Sequence, residues 1–201
     1  SNGRLPVRPE TTAKADAVRA YTTDHPADSW LDRSNWDRCI TYHGVPPVST
    51  GYNNTYQIFQ TPDHVAILVE NIHDVRIIPL DDRSQLTSEI RQWNGDSRGH
   101  WAGDTLVVET RNFSDKTQHR FPSSPDTIAV ERFRRLDDNT IEHSFTIEDN
   151  SVYTRPWTGM RHMPRLPEYV IYEYACHEGN YAMTNILSAE RTGEAAASNE
   201  Q

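Results

Sequence analysis

A mainly β fold of about eight antiparallel strands, closed as a lipocalin-like barrel and flanked by N-terminal and C-terminal helices, is what the sequence predicts. Three observations lead there. Apolar residues alternate with a period of two along most of the chain between Tyr56 and Cys176. The breaks between these runs are mostly too short for crossover helices and rich in turn formers, so neighbouring runs pair antiparallel. Eight such strands also leave unpaired edges unless the sheet closes on itself. A two-sheet β-sandwich fits the same pattern and is the alternative.

Residues 1–43 form an N-terminal helical segment expected to pack on the barrel. Thr11 and Thr12 can cap a helix over Ala13–Tyr21, which Pro26 interrupts, and a shorter one starts near Asp28 and carries Trp30, Leu31 and Trp36. Residues 44–180 hold the barrel. After the loop GVPPVSTG, strands are expected at Tyr56–Gln60, His64–Glu70 and Val75–Leu80, followed by a short helix over Ser88–Trp93. Gly95 and Gly99 bracket a tight loop at one barrel mouth. Further strands are expected at Asp104–Asn112, Thr127–Leu136, Thr140–Asp149, Val152–Thr158 and Tyr169–Cys176. Asn180 can cap a C-terminal helix over residues 181–191, and residues 192–201, lacking bulky apolar side chains, read as a flexible tail. The whole is one domain, as expected for 201 residues.

Composition narrows the function classes. The net charge of −9 leaves no electrostatic footprint for nucleic acid. No apolar run is long enough to span a membrane. Lys14 and Lys116 are the only lysines among 20 basic residues, which favours fixed arginine–carboxylate pairs, or else reflects codon bias. Cys39 and Cys176 have no metal-ligand spacing, so they are either two buried thiols or one long-range disulfide. The sequons at Asn53 and Asn112 favour the disulfide and a secreted or periplasmic chain with glycosylation at those asparagines.

Candidate chemistry lies in polar side chains on apolar strand faces. His143 shares a face with Ile141, Phe145 and Ile147, which puts an imidazole against the core as either a structural group or an acid–base group beside a cavity. Glu70 and Glu109 are similar, and a buried carboxylate there needs a partner such as Arg76, Arg132 or Arg155. Gly95-Asp96-Ser97 lacks the second glycine of a nucleophile elbow. No metal-site spacing or cofactor motif is present, so no metal or cofactor is expected.

The strings IHDVRIIPLD, GDSRGHWAGDTLVVET and YEYACHEGN resemble a family of small secreted proteins of soil bacteria such as acidobacteria, over about Asp28 to Arg191. That resemblance implies secretion and brings no reaction with it. In size and sequons the chain is also similar to the fungal hetero-Diels–Alderases of tropolonic sesquiterpenoid pathways, which implies a secreted, cofactor-free pericyclase.

The expected function is a cofactor-independent cyclase, isomerase or lyase acting on a small apolar or aromatic molecule inside the barrel. The alternative is a non-catalytic carrier of such a molecule. His143, Tyr172 and His73 are the catalytic candidates, and Tyr56, Trp101, Trp157, Tyr174 and His177 the ligand-binding ones. A homodimer is left open.

Overall fold

The computed structural model describes residues 3–42, 44–48 and 51–199. Among these residues eight strands are present, and they form two sheets. Strands β1 (Tyr56–Gln60), β2 (His64–Val69) and β3 (Val75–Pro79) make an antiparallel sheet in the order β1-β2-β3. Strands β4 (Asp96–Ala102), β5 (Thr105–Arg111), β6 (Ile128–Asp137), β7 (Thr140–Glu148) and β8 (Trp157–Pro164) make an antiparallel meander in sequential order.

The expected barrel is therefore corrected to the two-sheet alternative. Val65, Ile67 and Ile78 of the smaller sheet pack on Leu106, Val108 and Phe133 of the larger, and this shared apolar layer joins them. Strands β3 and β4 touch side to side without a hydrogen-bonded ladder. A Cβ on Gly99 would lie 2.8 Å from Ile78 Cγ2 and 3.0 Å from Leu80 Cδ2, so only glycine allows this approach. Strands β1 and β8 meet through side chains, with the Arg161 guanidinium 5.1 Å from the centre of the Tyr56 ring. A second cluster fills the far end of the larger sheet, where Phe113, Phe145, Ile147 and Tyr153 pack with Phe121 and Trp157.

Several local expectations change. Residues 96–102 form β4 rather than a loop: Asp96 pairs with Arg111 and Ala102 with Thr105 across the turn at Gly103-Asp104, where Gly103 has φ +65°. The last paired strand is Trp157–Pro164 instead of Val152–Thr158, because Val152 and Tyr153 turn the chain by donating their N–H groups to the Asp149 carbonyl. Residues 169–176 pair with no strand. Residues 88–93 are not helical: the flanking backbone is held by side chains instead, with Asn112 Nδ2 donating to the Leu86 and Thr87 carbonyls and Leu86 N–H donating to Asp96 Oδ2.

The first and last helices are longer than expected. Helix α1 spans Pro9–Asp24 and buries none of its residues. What docks is the segment before it, through an isolated bridge from Val7 to Tyr153 and the bond from Arg8 N–H to the Val152 carbonyl. Helix α2 spans Tyr181–Asn199, so most of the expected tail is helical. Asn180 Oδ1 accepts from Met183 N–H as the expected cap, and three alanines with an Arg191–Glu194 pair extend the last turns. The second expected helix shrinks to a single 3-10 turn, Trp30–Asp32, closed by a reciprocal Ser29–Asp32 capping box.

Cys39 and Cys176 form the disulfide, closing a separation of 137 residues and tying the N-terminal segment to the stretch before α2. Among the described residues no helix is long and apolar enough to cross a membrane.

Candidate functional site

A chain of four charged or polar side chains crosses the space between the two sheets. Strand alternation points Glu131 to the same side of β6 as Ala129 and Phe133, and the β6–β7 register sets Phe133 opposite His143. His143 in turn faces Arg161 across the β7–β8 pair, while Arg76 comes from β3 in the other sheet, opposite Ile67. His143 and Glu131 are fully buried and Arg76 is only 9 % exposed.

The proton positions follow from the donors. Arg161 Nε can only donate, and it lies 3.1 Å from His143 Nδ1, so that nitrogen is the acceptor. The ring hydrogen is then on Nε2, which donates to Glu131 Oε1 at 3.0 Å. Phe133 stacks on the imidazole with centroids 4.3 Å apart and planes within 4°. Burial drives the His143 pKa down, and the charges of Arg161 and Arg76 add to this against the pull of Glu131. Burial opposes ionisation of Glu131, but Arg76 and His143 outweigh it and hold the carboxyl below its ordinary range. The pair Glu131–His143 is thus carboxylate and neutral imidazole.

Arg76 is the exception in this chain. Its Nη1 lies 2.6 Å from Glu131 Oε2 as a charge contact, without hydrogen-bond alignment. All three guanidinium nitrogens are buried, and Nε and Nη2 have no hydrogen-bond acceptor. The side chain lines a small cleft of about 20 Å³ that opens to solvent. Val45, Pro47, Ile67 and Val69 supply apolar walls, and Asn71, Asp74 and Asn94 supply polar ones. Asp74 Oδ2 already accepts from Asn94 Nδ2 at 2.6 Å and from Thr41 Oγ1 at 3.0 Å.

A second cavity, of about 270 Å³, adjoins the first at Tyr42 and is lined by Trp36, Thr41, Gln118 and His119 among others. Burial lowers the His119 pKa to about 4, a backbone contact with Val45 offsetting it only in part, and neither ring nitrogen has an aligned hydrogen-bond partner. The ring sits edge-on to Phe113 at 4.8 Å. Gly44, with φ +63°, leaves the room it needs: a Cβ there would collide with the ring.

The expected site residues are not gathered in one place. His143 is in the buried chain, and Tyr56 borders it, donating its hydroxyl to the Pro47 carbonyl at 2.7 Å. Trp157 belongs to the apolar cluster with Phe121 and Tyr153. Trp101 is exposed near the end of β4, Tyr172 is 72 % exposed, and His177 is exposed as well. His73 is on the surface, bonding through Nδ1 to the Tyr174 carbonyl at 2.9 Å, while Tyr174 itself is half-buried. Asn53 is half-buried in the bend before β1. Asn112 is 8 % exposed, and its Nδ2, the atom a glycan would occupy, bonds to the Leu86 carbonyl at 2.7 Å. Of the carboxylates singled out in the sequence, Glu70 is buried and accepts from the Tyr169 hydroxyl at 2.6 Å, and Glu109 pairs with Arg111 near the surface.

Glu131 and Arg161 are the members of this polar chain that the sequence does not single out. Glu131 carried a usable signal, since it falls between Ala129 and Phe133 on an apolar face as His143 does between Ile141 and Phe145. Among the described residues no group of three or more His, Cys, Asp or Glu side chains is placed to hold a metal ion. A scan against protein-family models, a search of curated proteins and a search of solved structures each gave no match.

Proposed function

We propose that this protein is a secreted, non-catalytic carrier of a small molecule, seated in the cleft beside Arg76. One observation supports this above the rest: an apolar-walled cleft is bordered by a nine-tenths buried arginine that is ion-paired through Nη1 but has no hydrogen-bond acceptor on Nε or Nη2. Leaving such donors unmet costs free energy, and a ligand oxygen placed there recovers it. The apolar walls suit the hydrophobic body of the small apolar or aromatic molecule expected from the sequence. The disulfide suits an oxidising compartment.

A carrier fits better than a cyclase, isomerase or lyase. An acid–base role for His143 needs access to a substrate, but that imidazole has no exposed surface and both its nitrogens are engaged. Its place in the chain is that of a positioning residue, which holds Glu131 and through it Arg76.

The test is native mass spectrometry of the purified protein after incubation with a library of small apolar and aromatic molecules. Bound, unconverted molecules are expected, retained by the wild type and lost on Val69→Trp, which fills the cleft. Retention unaffected by Val69→Trp would place the site elsewhere. Conversion of a bound molecule, abolished by His143→Gln, would make the protein an enzyme.

A further inference from the structure

We propose that the second cavity is a separate binding site, for a neutral saccharide that lays one face of a sugar ring on the indole of Trp36 and bonds through its hydroxyls to Gln118. The cavity is about 270 Å³ and opens to solvent. That is the volume of about nine liquid waters, room for one sugar ring, whereas the cleft beside Arg76 is far smaller. Two of its walls are aromatic. The Trp36 and Tyr42 rings stand 5.8 Å apart with their planes inclined by 55°, which makes a corner rather than a stack. Trp36 Nε1 donates to Asn71 Oδ1 at 3.1 Å, so the plane of the indole is fixed, yet the side chain is still 37 % exposed.

The polar wall is held in place as well. Gln118 Oε1 accepts from the Asn35 N–H at 2.9 Å, which orients the carboxamide and leaves its Nε2 donors with no acceptor among the described residues. Asn35 is itself buried and anchored, its Nδ2 donating to the Lys116 carbonyl at 3.1 Å. Charge then narrows the ligand. No described residue lining the cavity is an acid, a lysine or an arginine, and burial keeps the His119 ring neutral, with its pKa lowered to about 4. An ion entering here would shed its hydration and meet no opposite charge. A wholly apolar molecule would take water from the Gln118 amide and put nothing in its place. A sugar meets both demands: its C–H groups give an apolar face for an aromatic ring, and its hydroxyls accept and donate around the edge.

The experiment titrates the intact protein with methyl β-glucopyranoside and methyl β-galactopyranoside, and with two controls of the same ring size, glucuronate and cyclohexanol. Binding is read from the Trp36 Nε1–H and Gln118 Nε2–H resonances. At least one glycoside should bind in the millimolar range and shift both signals, with each control weaker by about ten-fold or more. Gln118→Glu keeps the oxygen that receives the Asn35 N–H and replaces the donors, so it should weaken the glycoside by about ten-fold. Trp36→Leu removes the platform and should abolish binding; should that variant fail to fold, Gln118→Glu decides. Val69→Trp, which fills the cleft beside Arg76 and does not line this cavity, should leave glycoside binding as in the wild type. The proposal is overturned if neither glycoside shifts the two signals, if glucuronate or cyclohexanol binds as tightly, if Gln118→Glu changes nothing, or if Val69→Trp abolishes the binding.

Discussion

The molecule buries two histidines in opposite ways. His143, between the sheets, has a partner on each ring nitrogen, whereas His119, beside the second cavity, has none on either. Both pKa values are depressed mainly by burial. In both rings burial is the largest influence on the protonation state, while partners decide what removing the ring would cost. His143 holds a charged network together, and His119 only fills space against Phe113.

The largest effect that separates the two regions comes from the disulfide, which ties down the N-terminal segment near His119 and lies outside the sheets around His143. Replacing Cys39 and Cys176 by serine should cost about 5 kcal/mol on chain-entropy grounds for so long a loop. Hydrogen exchange should show protection lost first around Trp36 and His119, with β6 and β7 still protected. Uniform loss would mean the regions are not separable.

Next in size, Glu131→Ala leaves Arg76 and His143 buried without their shared acceptor, and should cost about 4 kcal/mol in chemical denaturation. A cost below 1 kcal/mol would show the chain to be loosely assembled.

The pH response comes third. In the unfolded chain His119 takes up its proton near pH 6.5, whereas in the folded protein it resists until about pH 4. Stability therefore falls as pH drops through this window, by about 3 kcal/mol for His119 alone. His143, depressed in the same direction, adds to the fall. Glu131 and Asp149, whose pKa values are lowered, withdraw their contributions only below the ordinary carboxylate range. His119→Phe should remove its share of the slope between pH 6.5 and 4, measured as midpoint against pH. An unchanged slope would contradict the burial of that ring.

The smallest effect is the sharpest comparison. At neutral pH, His119→Phe removes two unpartnered polar atoms and should be neutral or stabilising by about 1 kcal/mol. His143→Phe, equally conservative in shape, should destabilise by about 2–3 kcal/mol, because Glu131 and Arg161 each lose a partner.

The hairpins β1–β2 and β6–β7 were legible because their alternation is regular and their turns carry Pro, Asp and Asn. Strand β4 was not, since its DSRGHWA run has almost no apolar alternation and owes its extended form to the ladder with β5. Closure was not legible either: a period of two reports which face is buried and says nothing about which edges pair. The tail after Arg191 read as loose for want of bulky side chains, yet its alanines favour helix on their own.

In the site, His143 stood out as a polar residue on an apolar face. Glu131 carries the same mark, masked by the charged residues that follow it in its strand. Arg161 lay beyond the strand end expected at Thr158, and only the β7–β8 register shows it opposite His143. The spare donors of Arg76 had no sequence signature, because they depend on how two sheets meet.

Native mass spectrometry of the intact protein after incubation with small apolar and aromatic molecules tests the central claim most directly. Bound, unconverted molecules, retained by the wild type and lost on Val69→Trp, are the expected result. Conversion of a bound molecule, abolished by His143→Gln, would contradict it.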